Sequence, residues 1–83
     1  MDNLDNKYSL PRDVVNNNFI CQIVGRNEIL IDNIRKIIYL STEEISIRGH
    51  KGGINIKGCN LNIVYYNNQS IIIRGGINEI MFL

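Results

Sequence analysis

The sequence predicts a small all-β domain, and three observations predict it. Isoleucine fills 17 of the 83 positions, and its stiff, β-branched side chain suits a pleated strand. Alanine, the strongest helix former, is absent. From Phe19 onward, apolar residues recur at every second position between short runs of Gly, Asn and Ser, the pattern of strands joined by tight turns. Asn supplies 13 residues; its side chain bonds nearby backbone and tolerates left-handed conformations, so it serves turns.

The chain divides into an arm and a domain. The first 18 residues carry Asp2, Asp5, Asp13 and five of the Asn residues, with little alternation. Residues 1–17 read as a flexible arm. Within it, Leu10, Val14 and Val15 form a segment able to dock on the domain, and Pro11 keeps Leu10 extended. Residues 18–83 read as the all-β domain.

Each strand follows from its alternation. Phe19 to Val24 sets Phe19, Cys21 and Ile23 against Ile20, Gln22 and Val24, and Gly25-Arg26-Asn27 is a turn. Glu28 to Ile31 places Ile29 and Ile31 on one side, before a turn at Asp32-Asn33. Ile37 to Leu40 is a short apolar strand, and Ser41 to Glu44 resembles a helix capping box with no helical run behind it, so it reads as a polar turn. Then comes a near-repeat, Ile-x-Ile-basic-Gly, at Ile45 to Gly49, Ile54 to Gly58 and Ile71 to Gly75. Leu61, Ile63 and Tyr65 alternate between the second and third copies, and Ile80 to Leu83 ends the chain.

The repeat fits either a β-solenoid or an antiparallel meander closed into a sandwich or partly open barrel. Loop length favours the meander. His50 to Gly53, Cys59-Asn60, Asn67 to Ser70 and Gly75-Gly76 are hairpin-sized, whereas parallel rungs need longer crossovers.

Length and charge exclude several function classes. A chain of 83 residues is one domain and buries only about 60% of its unfolded surface. A formal net charge of +1 argues against a dedicated nucleic-acid binder. No apolar run approaches the roughly 18 residues of a membrane-spanning helix, and the N-terminus lacks the basic start and apolar stretch of a signal peptide. Cys21 and Cys59 are then expected to be reduced, mostly buried thiols in a cytoplasmic protein.

Catalytic and metal motifs are missing as well. His50 is the single histidine and sits in the turn Gly49-His50-Lys51-Gly52-Gly53. Two cysteines 38 positions apart and one histidine do not make a zinc set. Glu43 and Glu44 are adjacent, so on a strand they point to opposite faces and make a poor acid–base pair. Gly49-His50-Lys51-Gly52 matches the GxxG of a KH-type RNA loop, but strands flank it where helices are needed. No phosphate-binding loop occurs. The expectation is a non-enzyme without catalytic, cofactor-binding or metal residues.

The repeat leaves one face to explain. With Ile pairs 45/47, 54/56 and 71/73 turned inward, Arg48, Lys57 and Arg74 face outward. Such bases solubilise strand ends and discourage edge pairing. Alternatively, with Arg35 and Lys36, they receive an acidic partner or an anionic membrane surface. A pocket between two sheets holding a small ligand is a third reading.

Several segments together resemble a known family. Leu10 to Val15 resembles the LPxDVV segment of YqfC-like proteins. Phe19 to Asn33 resembles their strand, glycine turn and strand ending in Asn. Glu43 to Leu61 is similar to their Glu-rich turn, hairpin and IxIxGxxL signature, and Ile71 to Phe82 to their closing hairpin. After Asn33 the family often carries His, a basic residue and Gly, where this chain has Ile34-Arg35-Lys36. The family is YabP/YqfC, sporulation proteins of endospore-forming bacteria.

The resemblance implies a role in the mother cell, at the forespore membrane, near the stage of cortex or coat assembly. It implies no catalysis or cofactor, and it implies association with sporulation membrane proteins. The sequence adds a means. An Ile-rich meander leaves edge strands that can pair with another chain, and Ile80 to Leu83 has no charge after Glu79. Homo-oligomerisation, or strand addition to a protein partner, through a terminal edge is expected.

Overall fold

Strands form wherever the alternation starts, and none of the described residues is helical. The structure, a computed structural model, describes residues 18–83. The arm expected over 1–17, with its Leu10 to Val15 segment, lies outside the described residues. Six strands follow in order: β1 (Ile20–Val24), β2 (Glu28–Asp32), β3 (Ile34–Leu40), β4 (Glu44–Gly49), β5 (Gly52–Tyr66) and β6 (Ser70–Phe82). They make one sheet ordered β1-β2-β6-β5-β4-β3, and every adjacent pair is antiparallel. The all-β expectation therefore holds. The chain departs from a plain meander where β6 returns to pair with β2, from Glu28 opposite Arg74 to Asp32 opposite Ser70.

The core is isoleucine set by the period-two rule. Ile29, Ile31, Ile45, Ile47, Ile54, Ile56, Ile71 and Ile73 are fully buried, including all three pairs of the repeat. Residues directly opposite on antiparallel strands share a face. Register therefore stacks Ile45, Ile56 and Ile80 in one row, and Ile47, Ile54 and Phe82 in the next. Burying each isoleucine contributes on the order of 2 kcal/mol.

The sheet folds over itself because β5 and β6 each serve twice. β5 has 15 residues and β6 has 13. The first part of β5 pairs with β4, and its last part pairs with the start of β6. The start of β6 also pairs with β2, while its last part pairs only with the first part of β5. Two four-stranded layers result. One holds β1, β2, the start of β6 and the end of β5; the other holds β3, β4, the start of β5 and the end of β6. Their buried isoleucines belong to a single cluster.

The bend falls where the sequence reads as two hairpins. Cys59-Asn60 and Gly75-Gly76 do not reverse the chain; both strands run through them with register shifts at Lys57/Gly58 and Cys59/Asn62. These are bulges, which sharpen twist and curvature. A Cβ at Gly58 would overlap the Gly76 carbonyl oxygen, so the two backbones approach more closely than any other residue permits. Gly75 has φ 142°, and a Cβ there would lie 2.5 Å from the Asn60 oxygen.

Bulges strand backbone donors, and the two neighbouring turns accept them. Gly58 N–H donates to the Glu43 carbonyl (3.0 Å) and Leu61 N–H to Thr42 (2.8 Å). Gly75 N–H donates to Asn27 (3.0 Å) and Ile77 N–H to Arg26 (3.0 Å). Each hairpin turn thus caps the bulge of the long strand beside it. The Ser41 hydroxyl shapes the first of these turns by accepting from the N–H groups of Glu43 and Glu44.

β3 is longer than the sequence implies. It begins at Ile34, not Ile37, and carries register shifts between Ile34 and Lys36 and between Ile37 and Tyr39. One extra residue at the first shift changes the spacing, so buried Ile34 and half-buried Ile37 are three apart. The Asp32-Asn33 turn is a single residue, Asn33, at φ 73°. Its N–H and that of Ile34 donate to the Gln69 carbonyl, at 2.6 and 3.1 Å. At the opposite side of the sheet order, the Phe19 ring lies where a side chain at Gly49 would stand, tying the start of β1 to the end of β4.

Gly58→Ala should lower unfolding free energy by about 3 kcal/mol, because overpacking against backbone has no side chain to yield. Gly25→Ala, at φ 61° with nothing within 4 Å of its added Cβ, should cost about 1 kcal/mol from backbone strain alone. Urea unfolding of the two variants checks the ranking.

Candidate functional site

The five basic residues singled out from sequence are all exposed on outward-facing or edge positions, but they do not form one ladder. Arg74 Nε lies 2.9 Å from Glu28 Oε1 across the β2–β6 pair. Lys57 stands in a row between Glu44 and Glu79. Arg35, Lys36 and Arg48 gather elsewhere, with Gly49 and His50, around a surface hollow of about 430 Å³. Lys36 is directly opposite Arg48, an arrangement of like charges that costs folding energy. No carboxylate among the described residues lines that hollow. A second hollow, about 320 Å³, is lined by Asp32, Asn33, Gln69 and Ser70, where the Ser70 hydroxyl donates to Asp32 Oδ1 at 2.6 Å. Both hollows have polar linings, unlike the intersheet pocket weighed from sequence.

The strand edges differ in how they are guarded. β3 carries Arg35, Lys36 and two bulges, the features that turn an edge away from further pairing. β1 has none of these. Its sequence is ICQIV, uncharged, and its five residues pair with β2 in unbroken register. Ile23 and Val24 are among the exposed large apolar side chains.

The C-terminal segment corrects an expectation. β6 is interior in the strand order, not a terminal edge. Yet β2 ends its pairing at Arg74, so the far side of Glu79 to Phe82 has no strand partner among the described residues. Sequence reasoning missed both the basic hollow and β1 as the smooth edge among the described residues. The hollow depends on which strands become neighbours, and β1 looks like any other alternating strand until its position is known.

The cysteines also differ from expectation: both are exposed and free. Cys21 lies on the edge strand, opposite Ile31, and Cys59 lies in the bulge of β5, opposite Gly76. Although the residue is exposed, neighbouring atoms partly desolvate the Cys21 sulfur and push its thiol above the usual value, and the negative charge of Asp32 adds to that.

A single antiparallel sheet folded around isoleucine, with a cluster of cations on one face, defines a small all-β domain. The family comparison gives it a place. The model of the YabP family matches residues 17–83, and the chain belongs to that family. Membership points to a role related to sporulation. Comparison with curated proteins and with solved structures returns no match.

Cys21 should alkylate slowly. In the Cys59→Ser chain at pH 8, iodoacetamide should react more slowly than with a free thiol, because less thiolate is present, and Asp32→Asn should speed it. The linkage sign follows: a raised thiol pKa favours the folded state while protonated, so this contribution is full below the ordinary thiol pKa and is lost as pH rises through the raised one.

Proposed function

We infer that this chain serves spore formation as a structural or adaptor protein, without catalysis, by joining other chains through its strand edges. One observation carries the reading. Among the described residues, β1 offers five residues of regular, uncharged, unbulged edge, while β3 at the opposite edge is bulged and charged. A row of unpaired N–H and C=O groups on a flat edge is a template for strand addition. The end of β6 offers a second such edge, beside the exposed side chains of Met81, Phe82 and Leu83.

This reading places the chain in the mother cell at the cortex or coat stage, where it joins copies of itself or a sporulation membrane protein. The family supports the setting, and the edges supply the means.

Val24→Lys tests the edge without attacking the core, since position 24 is exposed and faces Glu28 within its own sheet. Sedimentation of the purified chain should show concentration-dependent association, weakened at least tenfold in Val24→Lys. Sporulating cells carrying the variant should yield fewer mature spores. A chain that stays monomeric at micromolar concentration, together with normal spores from the variant strain, would sink the proposal.

A further inference from the structure

The basic hollow continues into an apolar face, and register shows how. Lys36 is opposite Arg48, and Arg48 is opposite Gly53. Gly53 in turn exchanges backbone hydrogen bonds with Leu83. One row thus runs Lys36, Arg48, Gly53, Leu83 across four strands. Gly53 adds no side chain, and Leu83 leans over it, its Cδ1 3.4 Å from where a Cβ would stand.

The next row on the same face runs Tyr39, Ser46, Asn55, Met81. Its centre is polar but internally satisfied, because the Ser46 hydroxyl donates to Asn55 Oδ1. Its ends are apolar. Tyr39 is 53% exposed, Met81 44% and Leu83 65%. Arg35, His50 and Lys51 are exposed at the margin.

We propose that this face docks on a membrane surface bearing anionic headgroups, with Arg35, Lys36 and Arg48 at lipid phosphates and carboxylates and Tyr39, Met81 and Leu83 at the interface. Three facts favour a lipid surface. The Lys36–Arg48 juxtaposition is unfavourable until an anion relieves it. The apolar groups flank the cations on one face, Tyr39 on one side and Met81 and Leu83 on the other, a composition that suits the headgroup boundary. The acidic row of Glu44 and Glu79 lies four residues along the strand from Arg48, about 13 Å away, beyond the roughly 8 Å screening length at physiological salt. Those carboxylates therefore leave the cations attractive. The face is distinct from the β1 edge; it adjoins the end of β6, and its cations on β3 and β4 lie away from both edges proposed for strand addition.

Vesicle co-sedimentation of the dilute full chain tests this. Phosphatidylserine-containing vesicles should bind it in low salt, phosphatidylcholine vesicles should not, and binding should fall as salt rises. Lys36→Gln and Arg48→Gln should each weaken binding about fivefold. Arg74→Gln, whose charge is already paired with Glu28, should change it far less. Equal binding to both vesicle types, or an equal loss in Arg74→Gln, would overturn the proposal. So would capture of a soluble poly-glutamate peptide by Lys36 and Arg48 without vesicle binding, which would identify an acidic protein as the occupant. Thermal melts confirm that each variant is folded.

Discussion

Two backbones nearly touch where β5 passes β6, at Gly58 and Gly76, and the architecture follows from that approach. Without it the two long strands would run straight and the sheet would stay open, with its isoleucines on one wet face. The approach lets both strands bend together, so that one sheet supplies both sides of its own core. It also displaces backbone donors from the ladder, and buried donors without partners are costly. The turns after β1 and after β3 lie against the two bulges and accept those donors. Hairpin turns that would be surface decoration in another sheet are structural here.

Folding one sheet into two layers also decides which edges are left over. A strand that serves both layers is covered on both sides for only part of its length, which leaves the end of β6 half-paired. The outer strands meet this in opposite ways. β3 is irregular and cationic; β1 is regular and neutral. The asymmetry is the feature on which the proposed joining of chains rests, and the family itself is tied to sporulation.

Much of this was legible in the sequence. The Ile pairs of the repeat are buried and the basic residue after each pair is exposed, because period two is a local property of strands. What was hidden depends on glycine and on register. Gly58 and Gly75-Gly76 carry the same residue types as turns, and only the close approach of another backbone makes them bulges. Ile34 was lost because Arg35-Lys36 broke the alternation, and bulges in β3 restore the core contact at a spacing of three. Arg48 and Arg74 occupy the same place in the repeat, yet one meets Lys36 and the other Glu28. No local pattern separates them, because the difference lies in which strand lies alongside.

The pairing of β2 with β6 carries a kinetic consequence. Asp32 and Ser70 are 38 positions apart, and Glu28 and Arg74 are 46 apart. Closing such a loop costs about 2 kcal/mol more conformational entropy than closing a short hairpin. The hairpins from β3 to β6 are local and can assemble first, and their formation shortens the effective loop. The β1–β2 hairpin would then be the last piece to dock and the first to detach. High contact order of this kind slows folding, and it would concentrate local opening in the layer that carries the smooth edge. The strand proposed to recruit a partner is held by the joint that closes last, so the proposed partner addition and completion of the fold would draw on a single, late step.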